Sequence, residues 1–365
     1  MNRLYQIALT KVSGVGPVVG RHLLSHFGSA EAVFTATKKD LTAVPGISSR
    51  VAAGFSDTGI LRAAEEELRF VEKHGIRLLF TGNDDYPRRL AHCTDAPLLL
   101  YYRGNADLNA PRMVSIVGTR NATDYGKAIC ARFIKDLLPY GATVISGLAY
   151  GIDSLAHHHA LNHRLPTIGV LGHGLDRIYP AAHREMAAKM IDGGGLLTEF
   201  PSGTKPDKQN FPMRNRIIAG LADVTIVVEA AIKGGALITA ELANSYNRDV
   251  CAFPGNTDRE FSAGTNYLIK THRAHLITGI KDLRYLMNWE PQQGNNEQPK
   301  QLELPVSLDT AHQRVYDAIR TAGQLSIDEL AAGLQWSQSK LAVALLELEM
   351  KGIIVALPGK IYKTT

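Results

Sequence analysis

From about residue 60 to residue 290 the chain alternates short apolar runs with longer amphipathic stretches. The runs are Arg77–Phe80, Met113–Val117, Thr143–Ser146, Thr167–Leu171, Gly195–Glu199, Val224–Val228 and Val250–Phe253. Their length and β-branched content predict strands. Helical periodicity follows most of them, at Tyr125–Leu138, Asp153–Asn162, Ala182–Ile191, Arg214–Leu221, Ala236–Asn247 and Asn266–His272. Strands apolar on both faces that alternate with helices belong to a parallel sheet covered on both sides. The expected architecture is α/β, an extended Rossmann-like doubly wound sheet over residues 61–290. Ligands of such sheets bind outside the carboxyl ends of the strands.

Two smaller patterns flank this region. In residues 1–60, Val12-Ser-Gly-Val-Gly-Pro17 and Val44-Pro-Gly-Ile47 each precede an amphipathic stretch. Paired glycine turns that open helices predict a helical helix-hairpin-helix or SAM-like domain, whose turn amides suit DNA phosphates. A small bundle with ordinary glycine turns fits these residues equally well. The stretch rich in Gln, Asn, Pro and Glu that follows Asn288 predicts a linker at 291–306. Residues 307–365 then read as three helices, Thr310–Ala322, Ile327–Leu334 and Ser337–Lys351, followed by a hairpin. That order predicts a winged helix. Its six basic and six acidic residues cancel. A reader of the DNA major groove is normally basic, so protein docking or a structural role is expected for it.

The formal net charge of +5 favours a polyanionic partner without proving one. No apolar run approaches the length of a membrane span, and no signal-peptide pattern opens the chain. Cys93, Cys130 and Cys251 form no close pair and read as reduced, buried residues of a cytoplasmic protein.

The strand-end turns carry the candidate chemistry: Gly118-Thr-Arg120, Ser146-Gly-Leu-Ala-Tyr-Gly-Ile-Asp153, Gly172-His-Gly-Leu-Asp176 and Glu229-Ala-Ala-Ile-Lys-Gly-Gly235. Such turns cradle phosphates through backbone amides. No P-loop and no Gly-x-Gly-x-x-Gly follows a strand. The segment from Glu199 to Gly220 adds Lys205, Lys208, Arg214 and Arg216 around Phe211, with Asp207 the acid among them. Cations flanking an exposed ring suit single-stranded nucleic acid, the charges tracking phosphates while the ring stacks on a base. A ring that plugs the core, with solvated arginines, is the competing reading. Asp153 is expected to cap a helix. Asp176, Glu199 and Glu229 are expected to hold turn amides or arginines rather than to act as acids or bases. His159 and His163 stand four apart, but no third ligand accompanies them at a metal-site spacing.

These strand-end motifs, in this order, closely resemble the DNA processing protein A family, DprA, also called Smf. They comprise Ile116-Val-Gly-Thr-Arg120, Ser146-Gly-Leu-Ala149, Gly151-Ile-Asp153, Gly174-Leu-Asp176, Tyr179-Pro180, Glu199-Phe-Pro201, Asn210-Phe-Pro-Met-Arg-Asn-Arg-Ile-Ile-Ala-Gly-Leu221, Gly235-Ala-Leu-Ile-Thr239, Phe253-Pro-Gly255 and Gly264-Thr-Asn266. The resemblance covers about residues 80–275. It implies a non-enzymatic protein without cofactor that binds single-stranded DNA, protects incoming strands in natural transformation and loads RecA recombinase onto them. It also implies a homodimer formed through the Rossmann domain and no membrane partner. The family's basic pocket maps onto Arg120, Lys208 and Phe211. Around these, the expected DNA-binding set is Gly118, Ser146, Gly147, Arg184, Arg214, Asn215, Lys233, Gly234 and Gly235. Relatives often carry a lysine or asparagine after Tyr179-Pro180. Here Ala181-Ala-His183-Arg184 follows, and Arg184 is the candidate replacement.

Two rival readings remain open on the sequence. Lys233-Gly-Gly235 resembles nucleotide phosphoribohydrolases, in which Glu229 or Glu199 would act on a nucleoside monophosphate. A regulator of duplex DNA working through the winged helix is the other.

Overall fold

The computed structural model describes residues 2–292, 308–357 and 360–364. The chain divides at residue 292 into two compact units, each described by itself. Most of the expected 291–306 linker, and the Pro358-Gly359 turn of the expected hairpin, lie outside the described residues.

The first unit begins with helices α1 (Asn2–Lys11), α2 (Pro17–Phe27), α3 (Ala30–Thr35), α4 (Lys38–Ala43), α5 (Ser49–Gly54) and α6 (Thr58–Lys73). Ser29, Thr37, Ser48 and Asp57 accept amide bonds as side-chain caps of α3 to α6. The two glycine turns pack reciprocally. Gly14 (φ 87°) faces Val51, and Gly46 (φ 88°) faces Val19, each valine lying five residues beyond the other turn's glycine. Only glycine takes that backbone without strain.

Helix α6 crosses residue 60, so the helices and the sheet are continuous there. Its inward residues Ala64 and Val71 share a core with Leu98 and with Phe80, Leu99 and Tyr101 of the first two strands. The apolar faces on either side of residue 60 are buried together.

Then follow β1 (Arg77–Phe80), α7 (Arg88–Ala91), β2 (Leu99–Gly104), β3 (Met113–Val117), α8 (Asp124–Asp136), β4 (Thr143–Ser146), α9 (Ile152–Asn162), β5 (Thr167–Val170), α10 (Arg184–Gly193) and β6 (Gly195–Thr198). The unit is completed by α11 (Asn210–Leu221), β7 (Val224–Val227), α12 (Gly235–Ser245), β8 (Asp249–Ala252), α13 (Glu260–Lys270), β9 (His275–Leu276) and α14 (Ile280–Met287). The strands form one sheet in the order β1-β2-β6-β5-β4-β3-β7-β8-β9. From β6 to β9 every pairing is parallel, as expected. The β1-β2 and β2-β6 pairings are antiparallel, and β2 is a strand the sequence reading did not name. The β1-β2 connection carries only the four-residue α7, not a crossover helix that covers the sheet.

Side chains alternate between two cores. Met113 and Val117 join α11 and α12 on one face, while Val114 and Ile116 join α8 and α9 on the other. Chain order runs one way from β3 to β6 and the other way from β7 to β9, so the switch point lies between β3 and β7. That is where doubly wound sheets bind ligands.

The second unit holds α15 (Thr310–Ala322), β10 (Gln324–Ser326), α16 (Ile327–Leu334), α17 (Gln338–Met350), β11 (Ile354–Leu357) and β12 (Ile361–Thr364). Val315, Ile319, Leu330, Leu341, Leu345 and Leu348 form its core. The expected hairpin gains a third strand, β10, in the order β10-β12-β11. Among the described residues no helix is long and apolar enough to cross a membrane.

Candidate nucleic-acid site

A cavity of about 620 Å³ opens at the switch point. Its first wall is the turn after β3, Gly118-Thr-Arg120. A Cβ on Gly118 would come within 2.5 Å of Ile152 and 2.9 Å of the Glu229 carbonyl oxygen, so glycine lets this turn lie against α9 and the end of β7. Its second wall is Ala230 to Ala236, where Gly234 caps α12. The first amides of a helix have no intrahelical acceptor and carry partial positive charge. The third wall is the start of α11, with Lys208 just before it and Phe211, Pro212, Arg214 and Asn215 within it. Asn215 ties two walls together by donating to the Gly235 carbonyl at 3.3 Å.

Phe211 stands in the middle of this arrangement. The Arg120 guanidinium carbon lies 5.8 Å from its ring centroid and that of Arg214 lies 6.0 Å away. Tyr179 stacks on it at 6.2 Å with the planes 28° apart. Behind the ring is Gly172, where a Cβ would sit 3.0 Å from Phe211. Phe211 is therefore half-buried and belongs to the first turn of a helix, not to a loop. Tyr179 is 50% exposed and lines the same cavity. Sequence reasoning missed it as a site residue, although an aromatic ahead of proline at a strand-end turn was the available signal.

Nine of the twelve expected residues line the cavity: Gly118, Arg120, Lys208, Phe211, Arg214, Asn215, Lys233, Gly234 and Gly235. Arg120, Lys208 and Lys233 are exposed. Arg214 is only 4% exposed. It donates to the carbonyls of Gly147 and Val170, at the ends of two neighbouring strands. Burial brings its pKa down to about 10, with Asp153 opposing and Arg120 adding to the fall. The expected solvated phosphate ligand is thus an internal strut, because α11 is buried on all sides from Arg214 to Leu221. Arg216 also turns inward, to the Glu199 carboxylate and the Asp95 carbonyl.

The remaining three expected residues are not in the cavity lining. The Ser146 hydroxyl is fully buried and donates to the Ile116 carbonyl at 2.6 Å. The Gly147 amide donates to Asp153, and its carbonyl accepts from Arg214, so this turn is occupied internally. Arg184 is exposed at the start of α10. Asp153 is not a helix cap, since Gly151 holds that position. Burial pushes the Asp153 carboxyl up, opposed by Arg214 and by bonds from the Ala149 and Gly147 amides.

The two carboxylates an enzyme reading requires are engaged elsewhere. Glu229 is 3% exposed and accepts from the Thr123 amide at 3.0 Å and the Thr123 hydroxyl at 2.5 Å. Glu199 pairs with Arg216, and burial pushes its pKa up to about 7 against that cation. Neither faces the cavity. Among the sequence's histidines, His157 is fully buried, with Nδ1 2.7 Å from the Thr167 hydroxyl.

Cations at the rim, two stacked rings and a helix N-terminus meet at the switch point of a Rossmann-like sheet, an arrangement that suits anions. Residues 77–288 match the family model of DNA recombination-mediator protein A, and the chain belongs to this DNA processing protein A (DprA/Smf) family. Residues 7–53 match a SAM-like helix-hairpin-helix tandem and residues 298–360 the DprA winged helix domain. The Smf protein of Synechocystis is 32% identical over 393 residues, covering 98% of each chain. The structure of DNA processing protein A from Streptococcus pneumoniae covers 79% of this chain and 97% of its own, with a TM-score of 0.67 and 31% identity. That of Helicobacter pylori, described for its single-stranded DNA binding mode, covers 59% of this chain and 97% of its own, with a TM-score of 0.54 and 30% identity.

Proposed function

We propose that this protein binds single-stranded DNA across the carboxyl edge of its sheet and delivers the bound strand to RecA recombinase, without catalysing a covalent step. Arg120, Lys208 and Lys233 neutralise phosphates, the amides at the start of α12 receive one phosphate, and Phe211 with Tyr179 forms a stacking platform. The observation that carries this reading is the pair of stacked rings set among exposed cations in one cavity. Cations give sequence-independent affinity and rings give preference for unpaired bases. The engagement of Glu199 and Glu229 away from the cavity supports a binding role over hydrolysis. Action in natural transformation and recombination, RecA delivery and homodimerisation through the Rossmann domain rest on family membership.

The test is a fluorescence-anisotropy titration against single-stranded and duplex DNA of equal length, followed by RecA filament assembly on strands coated with a single-strand binding protein. Preference for the single strand, and faster RecA assembly in the presence of the protein, are expected. Equal or absent binding to both DNAs refutes the site. Release of free base from nucleotides would restore the enzyme reading.

A further inference from the structure

Helix α6 carries three consecutive acids, Glu65, Glu66 and Glu67. Glu65 and Glu66 are exposed, and Glu65 pairs with Arg69. Glu67 falls on the inward face with Ala64 and Val71 and is only 4% exposed. A carboxylate on a buried helical face is costly unless its oxygens are satisfied. One residue, 135 positions away, satisfies both. The Ser202 amide donates to Oε1 at 2.9 Å and the Ser202 hydroxyl to Oε2 at 2.6 Å.

Ser202 lies in the segment that carries Lys205 and Lys208 from β6 to α11. The segment has further anchors. The Gly203 amide donates to Asp176 at 3.0 Å, and the Thr204 carbonyl accepts from the Gly174 amide at 3.2 Å. At its far end Asn210 donates to the Lys205 carbonyl at 3.3 Å. Pro201 restricts the backbone just before these points and Pro206 between them. Ser202 and Lys208 thus lie on one anchored segment, and Lys208 lines the cavity.

We propose that Glu67 is a positioning residue through which the N-terminal helices hold the β6-α11 segment, and with it Lys208, against the single-stranded DNA site. The proposal rests on the DNA-binding reading above. It gives α6, the helix that follows the helix-hairpin-helix region, a task that requires no contact between that helix and DNA. A cation already held in place loses less conformational freedom when it meets a phosphate, and so contributes more to affinity.

The test uses the full chain and a labelled oligothymidylate, with affinity measured over a range of salt. Glu67→Ala is expected to weaken binding roughly 3- to 10-fold, the size of one or two lost hydrogen bonds. The salt slope should fall toward that of Lys208→Ala, by up to about 0.7. Glu67→Ala added to Lys208→Ala should cost little more, whereas added to Arg120→Ala it should act independently. Glu67→Gln, which keeps an oxygen acceptor for the Ser202 amide, should retain most of the affinity. Should Glu67→Ala fail to fold, Ser202→Ala carries the same comparison. Wild-type affinity and slope in Glu67→Ala or Ser202→Ala, or full additivity with Lys208→Ala, overturns the proposal. If Arg120→Ala and Lys208→Ala weaken binding while the Glu67 and Ser202 variants do not, only the tether falls. If all four bind as wild type does, the DNA site falls and the tether with it.

Discussion

Replacing Arg120 by alanine removes an exposed cation from the mouth of the cavity, 5.8 Å from the Phe211 ring centroid. Two consequences differ in size. An exposed cation–π contact contributes about 0.5–1 kcal/mol. In a protein of this size that lowers the melting temperature by roughly 2–4 °C at most. Loss of one phosphate contact lowers the slope of log affinity against log salt by about 0.7 for a single strand. Between roughly 50 and 200 mM salt, a fourfold change, the ratio of wild-type to variant affinity should therefore shrink about 2.6-fold. The defect is largest at low salt and fades as salt rises. Anisotropy titrations of oligothymidylate at several salt concentrations read this directly. Parallel log–log lines for the two proteins would refute the phosphate contact even if the variant bound more weakly. A fall in melting temperature well beyond a few degrees would show that Arg120 supports the fold.

Phe211→Ala should weaken single-strand binding by about 1–3 kcal/mol, the contribution of one stacked base, with the salt slope unchanged; wild-type affinity would leave Phe211 as core packing alone. Arg214→Met strands the buried Asp153 carboxylate and two strand-end carbonyls, so urea unfolding should show a loss of about 3–5 kcal/mol; a stability within 1 kcal/mol of wild type would remove the strut from the account. Burial, with His183 and Arg214 nearby, lowers the His157 pKa from 6.5 to about 3. The native state thus favours the neutral ring, and its contribution is fully present above about pH 6.5 and lost as pH falls toward 3, up to about 5 kcal/mol. Unfolding free energies for wild type and His157→Asn should converge as pH falls through that window, and curves parallel throughout it would contradict the assignment.

The parallel half of the sheet was legible because Met113–Val117, Thr143–Ser146 and Val224–Val228 are apolar on both faces, a pattern that few other environments impose. Leu99–Gly104 is just as apolar, yet β2 escaped notice. Its neighbours are β1 and β6, and antiparallel insertion leaves no helical period beside it to mark the strand. The glycine turns and exposed cations of the site were also legible, since phosphate-sized turns have a sequence signature. What failed was orientation. Counting Lys205, Lys208, Arg214 and Arg216 together treats four charges as equivalent, but two of them fall where α11 is enclosed on all sides. Arg214 and Arg216 can be inward because Gly147, Val170, Asp95 and Glu199 supply acceptors from distant parts of the chain. Glu67 was illegible for the same reason: its partner Ser202 is 135 residues away.

The inward turn of Arg214 also changes what an approaching anion meets. The carboxyl edge of a parallel sheet is lined with carbonyl oxygens, and oxygens left bare would repel a phosphate at short range. By binding the Gly147 and Val170 carbonyls, one guanidinium quenches that repulsion from behind the wall. In the proposed binding role the rim cations then act on the strand without first offsetting the field of the scaffold. Rim charge can shift among neighbouring positions at little cost, because phosphates recur along a flexible strand. The quenching charge has no such latitude: its place is set by two oxygens of the scaffold, both bound by one nitrogen of the guanidinium.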